Sequence, residues 1–202
     1  MLVRGLFAVL LGWSLISAAA DDNHVNLERF PKAFFAGGCF WCMQHPFDIL
    51  PGVISTTVGF MGGTKENPSY KDVSSGATGH LETVQVLYDP AVIDYKKLLD
   101  VFWHNVDPKN GDGQFCDEGS QYRSAIFYTD DVQKHQAETS KLLLEQDRAF
   151  AGLIKTAIRP ATTFFPAEAE HQQYYRKHSW LYKFYRFTCG RDRRLKAVWG
   201  SH

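Results

Sequence analysis

The chain has 202 residues, 22 Lys plus Arg against 22 Asp plus Glu, and 45% hydrophobic and 14% aromatic residues, which excludes a disordered, collagenous or polyelectrolyte protein and fits one globular domain. The zero formal balance argues against a nucleic-acid binder and against an enzyme that draws in strongly charged substrates by long-range steering. A chain of this length buries about 70% of its unfolded surface, so its core needs neither a structural metal nor disulfide staples, and four cysteines are available for chemistry.

The first element in chain order is apolar, from Leu6 to Ile16, preceded by Arg4 and followed by Ala18, Ala19 and Ala20 before Asp21. One cation, a short apolar core and small residues ahead of a cut predict a secretory signal peptide over residues 1 to 20, too short for a membrane span. The expectation is an exported protein, periplasmic or secreted, monomeric and without stable membrane association, in a compartment where disulfides persist. Residues 30 to 200 show no repeat, low-complexity tract or linker and are expected to form one domain.

Lys32 to Ala36 is a short apolar run ending in Gly37-Gly38, and Cys39 to Ile49 then has a helical pattern that Pro46 should kink or shorten. Val53 to Phe60 is rich in β-branched residues and predicts a strand, followed by a Gly- and Pro-containing loop through Pro68. Leu81 to Tyr88 is a further strand, stopped by Asp89-Pro90. Asp94 to Asn105 places Leu98, Leu99, Phe102 and the following Val106 at helical spacing, and Tyr122 to Tyr128 predicts another strand. Asp130 with Gln133 predicts a capping box opening a helix through about Ala149. This order predicts an α+β, two-layer α/β sandwich with a ferredoxin-like βαββαβ core and a largely irregular or helical C-terminal extension.

The chemistry is concentrated at Gly37-Gly38-Cys39-Phe40-Trp41-Cys42. A strand turning through two glycines into a helix places Cys39 at the helix N-terminus, where unpaired amides and the helix dipole favour thiolate, so Cys39 is expected to be a low-pKa nucleophile. Cys42, three residues on, shares its face and is within reach of a reversible disulfide. Zinc fits poorly: Cys116 and Cys189 form no second close pair, and the histidines show no HxxxH spacing. A calcium loop with Asp112-Gly113 at positions five and six would put Pro108 at position one, where a carboxylate is required, so calcium is rejected too.

The runs GGCFWCMQHPF, NPSYKDVSSGATGHLE at 67 to 82, CDEGSQYRSAIFY at 116 to 128 and FPAEAEHQQYY at 165 to 175 resemble the peptide-methionine (S)-S-oxide reductases, the A-type methionine sulfoxide reductases. The resemblance spans nearly all of the chain after the leader, in order. It implies that Cys39 is the nucleophile, that Phe40 and Trp41 wall the pocket for the substrate methyl group, and that Glu82 is the acid. Tyr70 and Tyr122 match tyrosines near the sulfoxide oxygen, and Asp117 a polar residue beside them. The sequence departs from many relatives at Cys42, where they carry Gly, and at Gln44, where they carry Glu.

Residue chemistry agrees with such roles. A sulfoxide offers an electrophilic sulfur but an oxygen that leaves poorly unless protonated, so reduction needs a soft thiolate on one side and an acid on the other. Glu82 would keep its proton near neutral pH only if burial raised its pKa, and tyrosine hydroxyls could donate to the developing oxyanion. Attack leaves methionine and a sulfenic acid on Cys39, which a second thiol condenses to a disulfide for an external thioredoxin-like dithiol to reduce. Cys42, Cys116 and Cys189 compete for that second role, and proximity favours Cys42. The family precedent of C-terminal cysteines points instead to Cys189, carried by a segment from Tyr182 to Trp199 expected to pack on the domain. The implied substrate is the S epimer of methionine sulfoxide, free or protein-bound, in repair after oxidation, with no metal, flavin or nucleotide and no nucleic-acid partner. A general exported thiol-disulfide oxidoreductase using the CxxC pair is the alternative, and a module docking methionine-rich or aromatic partners around Phe40 and Trp41 is a second.

Overall fold

The computed structural model describes residues 27 to 200; the signal peptide expected over residues 1 to 20 lies outside them. In chain order the strands are β1 (Lys32–Ala36), β2 (Val53–Met61), β3 (Leu81–Tyr88), β4 (Gly113–Gln114), β5 (Asp117–Glu118), β6 (Ala125–Tyr128), β7 (Ala157–Pro160) and β8 (Phe165–Pro166). The helices are α1 (Phe40–Asp48), α2 (Tyr70–Ser74), α3 (Tyr95–Trp103), α4 (Asp131–Glu145), α5 (Tyr174–Lys177), α6 (Ser179–Thr188) and α7 (Arg191–Trp199). Among the described residues, no helix is long and apolar enough to cross a membrane.

Six strands form one sheet in the order β7-β6-β1-β3-β2-β8, and β4 and β5 make a separate hairpin. The central four, β6-β1-β3-β2, are antiparallel neighbours throughout, which is the expected ferredoxin-like core of the sandwich. β7 adds to one edge parallel to β6, and β8 to the other edge antiparallel to β2.

Alternation along the strands separates two faces. Ala33, Phe35, Val58, Phe60, Val84, Val86 and Ile126 join α1 and α3 in the larger core, where Phe35 stacks between Phe47 at 5.0 Å and Phe102 at 5.3 Å. Phe34, Ala36, Met61, Leu81, Ala125 and Phe127 form the opposite face, covered in part by Ala161 and Phe164. Glu82 shares its strand face with Val84 and Val86, so a carboxyl is placed on the helix side of the sheet, 2% exposed.

Some boundaries differ from expectation. The strand expected over Tyr122 to Tyr128 begins only at Ala125, because Ser120–Tyr122 form a 3-10 turn. The α4 helix ends at Glu145, not near Ala149. Asp130 caps it by accepting from the Gln133 amide at 2.8 Å, but the Gln133 side chain accepts from Thr129 N and donates to the Lys32 carbonyl of β1. A reciprocal capping box is therefore absent there; one forms at Ser69 and Asp72, opening α2.

The C-terminal segment packs on the domain. Arg194 pairs with buried Asp107 at 2.7 Å, the Trp199 indole donates to the Val106 carbonyl at 2.9 Å, and Cys189 is disulfide-bonded to Cys116 beside the hairpin. That extension carries helices and two short strands.

Candidate active site

The turn between β1 and α1 admits only glycine. Gly38 has φ +82°, and a Cβ there would lie 2.6 Å from the Gln114 Cβ; at Gly37 it would lie 2.7 Å from the Met43 sulfur. This close approach seats Cys39 as the N-cap of α1, with Cys42 one turn on. Both are buried and free. The Cys42 amide donates to the Cys39 carbonyl at 3.0 Å, and the two thiols are hydrogen-bonded to each other.

The expected low pKa of Cys39 is not what the structure shows. The first amide of α1, Phe40 N, donates to Glu82 Oε2 at 2.9 Å and not to the Cys39 sulfur, so the helix-start donor acts on the acid. Burial pushes the Cys39 thiol well up, reinforced by its contact with Cys42 and by the nearby Glu82 and Asp117. Cys42 goes the other way: the hydrogen bond from Cys39, and then the charges of Arg191 and Arg186, bring it down to about 7 against the effect of burial. Within the pair, Cys42 is the thiol that ionises more readily.

Glu82 is held up at about 8 by burial, against the lowering effect of the Phe40 amide. It is therefore a neutral acid at pH 7, next to the Cys39 sulfur's helix start. The Tyr70 and Tyr122 hydroxyls are neighbours, and burial and Glu82 hold both in the protonated, donating form. The Ser69–Asp72 box and a 2.9 Å bond from Tyr70 N to Glu168 fix the start of the helix that carries Tyr70. Asp117, on β5, accepts from the Tyr185 hydroxyl at 2.6 Å. Its own pKa is raised by burial, opposed by that bond and by Arg191.

On the apolar side Phe40 and Trp41 form a wall with residues the sequence reading did not select. Tyr174 stacks on Trp41 at 3.9 Å between centroids, and His171 stacks on Tyr70 at 4.2 Å. The Trp41 indole N–H donates to His171 Nδ1 at 3.3 Å, which fixes that nitrogen as the unprotonated one. Tyr185 meets the Trp41 edge at 6.2 Å. Gln44, fully buried, accepts from the Gln173 amide at 2.8 Å and donates to Thr56 Oγ1 at 3.0 Å, anchoring the segment that delivers His171 and Tyr174. Both lie in the FPAEAEHQQYY run, whose polar and aromatic density was the available signal. Tyr185 and Arg191 had none, because only the fold brings the C-terminal helices to this site.

The structure thus brings Cys39, Cys42, Glu82, Tyr70, Tyr122, Asp117, Phe40 and Trp41 together. Cys189 is set apart, since its sulfur is bonded to Cys116. Cys116, Asp117 and Cys189 place three potential metal-binding atoms close together, but the disulfide occupies both sulfurs. The arrangement can combine a sulfur nucleophile, a neutral acid about to give up its proton, hydroxyl donors and an apolar aromatic slot.

A family model described as peptide methionine sulfoxide reductase matches residues 31–202. The chain is 48% identical over 174 residues to the peptide methionine sulfoxide reductase MsrA of Halalkalibacterium halodurans, covering 86% of this chain and 99% of that protein. It is 47% identical over 173 residues to the protein of the same name from Bacillus licheniformis, covering 86% and 96%. Among solved structures, methionine sulfoxide reductase A of Corynebacterium diphtheriae superposes with a TM-score of 0.67 at 37% identity, over 73% of this chain and 74% of that one. The reduced form of Mxr1 from Saccharomyces cerevisiae gives 0.68 at 32% identity, over 74% and 86%.

Proposed function

The chain belongs to the peptide methionine sulfoxide reductase family, and from that premise we propose how its own residues carry out the thiol-dependent reduction of the S epimer of methionine sulfoxide, the epimer assigned to this one of the two enzyme types. The observation that carries the reading is the Glu82 carboxyl, buried, neutral at pH 7 and bonded to the amide that follows Cys39.

The substrate methyl group lies against Phe40 and Trp41, and the sulfoxide oxygen faces Glu82, Tyr70 and Tyr122. Cys39 sulfur attacks the sulfoxide sulfur while Glu82 protonates the oxygen; each tyrosine donor contributes ~3 kcal/mol to the developing charge. Asp117 holds Tyr185 at the edge of the slot. Methionine departs, and Cys39 is left as a sulfenic acid. Cys42, the neighbouring free thiol, condenses with it, because Cys189 is engaged with Cys116. A thioredoxin-like dithiol then reduces the Cys39–Cys42 disulfide.

The leader pattern and the Cys116–Cys189 disulfide support an exported enzyme, periplasmic or secreted. A general thiol-disulfide oxidoreductase is not favoured, because the family match spans residues 31–202 and includes the runs that carry Glu82, Tyr70 and Tyr122 as well as the CxxC pair.

The test supplies the purified enzyme with a chemical dithiol and each epimer separately. The S epimer should be consumed and the R epimer spared, and Cys39→Ser should abolish turnover while keeping the fold, since a hydroxyl is a far weaker nucleophile. Turnover surviving in Cys39→Ser, or consumption of the R epimer, would overturn the reading.

A further inference from the structure

Arg191 is 1% exposed, yet its partners are neutral. Nη2 donates to the carbonyls of Gly37 at 3.1 Å and Asn105 at 2.6 Å and touches the Met43 sulfur at 2.9 Å, and the guanidinium covers the Phe115 ring at 4.3 Å. Its Nε has no hydrogen-bond partner, and among the described residues no carboxylate bonds to it. A guanidinium cannot shed its charge in a protein, and an uncompensated buried charge is strongly destabilising. Its counter-charge must therefore be nearby.

The contacts point to the cysteine pair. Gly37 lies two residues before Cys39, Met43 directly follows Cys42, and the Arg191 charge acts first on Cys42 and then on Cys39. Cys42 is faced by two cations, Arg191 and Arg186, against the acids Glu82 and Asp117 and the hydroxyls of Tyr182 and Tyr185. Glu82 is neutral and Arg186 is already paired with Asp192 at 2.9 Å, while Asp117, on which Arg191 also acts, shares its carboxyl with the Tyr185 hydroxyl, and of the charges around Arg191 that of Cys42 weighs most. The sulfur of Cys42 is therefore the principal charge partner of Arg191.

We propose that Arg191 is the counter-ion that keeps Cys42 ionised in the resting enzyme, and that the Cys42 thiolate removes the proton from Cys39 as Cys39 attacks the sulfoxide. This rests on Cys39 being the nucleophile and gives Cys42 an earlier role than forming the disulfide. At rest one proton is on Cys39 and one on Glu82. As the new sulfur–sulfur contact forms, the Cys39 proton moves to Cys42 and the Glu82 proton to the sulfoxide oxygen. The substrate S–O bond breaks, the hydroxyl passes to Cys39, and methionine leaves. Cys42 sulfur then attacks Cys39, its proton joins the departing hydroxyl, and water leaves as the S–S bond closes. Two electrons have passed from the cysteines to the sulfoxide, and Glu82 is left as carboxylate. Charge is conserved, because the negative charge begins on Cys42 and ends on Glu82.

The test uses full-length reduced enzyme labelled with 13Cβ-cysteine, titrated by NMR, with each signal assigned by single Cys→Ser variants. Alongside it, methionine formed in the first turnover is timed by rapid quench. In the wild type, Cys42 should titrate near neutrality, below Cys39. Arg191→Met should move the Cys42 midpoint up by about one pH unit and slow the first turnover about fivefold at pH 7, with the pH optimum shifted upward toward about 8. Arg191→Lys, which keeps the charge but not the fork of carbonyl bonds, should hold both values near wild type and so separates charge from packing. Cys42→Ser should slow methionine formation itself by about 100-fold, whereas a thiol needed only to form the disulfide would leave that burst untouched. A wild-type burst in Cys42→Ser, or a Cys42 that titrates as an ordinary thiol in the native enzyme, overturns the proposal even if Arg191→Met does not fold. Should Cys39→Ser remain active, the nucleophile assignment itself falls; if it is inactive while Cys42→Ser keeps its burst, only the role of Arg191 and Cys42 falls.

Discussion

Glu82 occupies a row on β3 that Val84 and Val86 continue, so a carboxyl stands where the sheet packs on its helices. Its proton leaves at about 8 in the folded chain and near 4.5 in the unfolded one. The neutral form's contribution to stability is complete below the unfolded value and is lost progressively as pH rises to about 8. Glu82→Gln should thus melt at a higher temperature than the wild type at pH 8, with the difference shrinking toward pH 4, as calorimetry across that range would show. The same substitution removes the transferable proton and should slow the chemical step ~100-fold or more with little change in binding. The opposition of the two effects is expected at a functional site, where stability is given up for reactivity. For the wild type, kcat/KM should fall as pH rises through about 8, and this alkaline limb should vanish in Glu82→Gln. A pH-independent wild-type profile between 7 and 9 would assign the acid to another group.

At the scale of elements, the strand-to-helix turn at Gly37-Gly38 sets the position of everything that reacts. Gly38→Ala must adopt φ +82° and push against the Gln114 side chain, so it should cost more than about 2 kcal/mol in urea unfolding and reduce turnover by displacing Cys39. The elements around this turn were legible in the sequence, because β1, β2, β3, α1 and α3 are apolar or β-branched runs with glycine, proline or Asp punctuation. What followed was less so. β7 and β8 are edge strands of four and two residues, each ending in proline, and carry too little periodicity to be recognised. Cys39 and Glu82 stood out through their motifs, but the opposite shifts within the cysteine pair depend on Arg191, which is far away along the chain and near only in the fold. Helix-dipole reasoning failed at Cys39 for the same reason: the amide that would have favoured its thiolate is bonded to a strand residue.

Over the whole molecule, the C-terminal helices close the site. α6 supplies Tyr185 to Asp117, α7 supplies Arg191, and the Cys116–Cys189 disulfide ties them to the β4–β5 hairpin across 73 positions. Loop-closure entropy gives a bridge of that span about 4 kcal/mol. The Cys116→Ser/Cys189→Ser double variant should therefore unfold at lower denaturant concentration. It should still complete its first turnover, because neither sulfur takes part in it and the Arg194–Asp107 and Trp199–Val106 contacts keep α7 docked. Loss of the first turnover in a folded double variant would show that the outer pair takes part in the chemistry. The most direct test is to mix fully reduced wild-type enzyme with one equivalent of the S epimer, quench with acid at successive times, and map the disulfides by mass spectrometry. A Cys39–Cys42 bridge should appear first, in step with the release of methionine; a bridge from Cys39 to Cys189 forming first, or methionine released while Cys39 remains a thiol, would contradict the account.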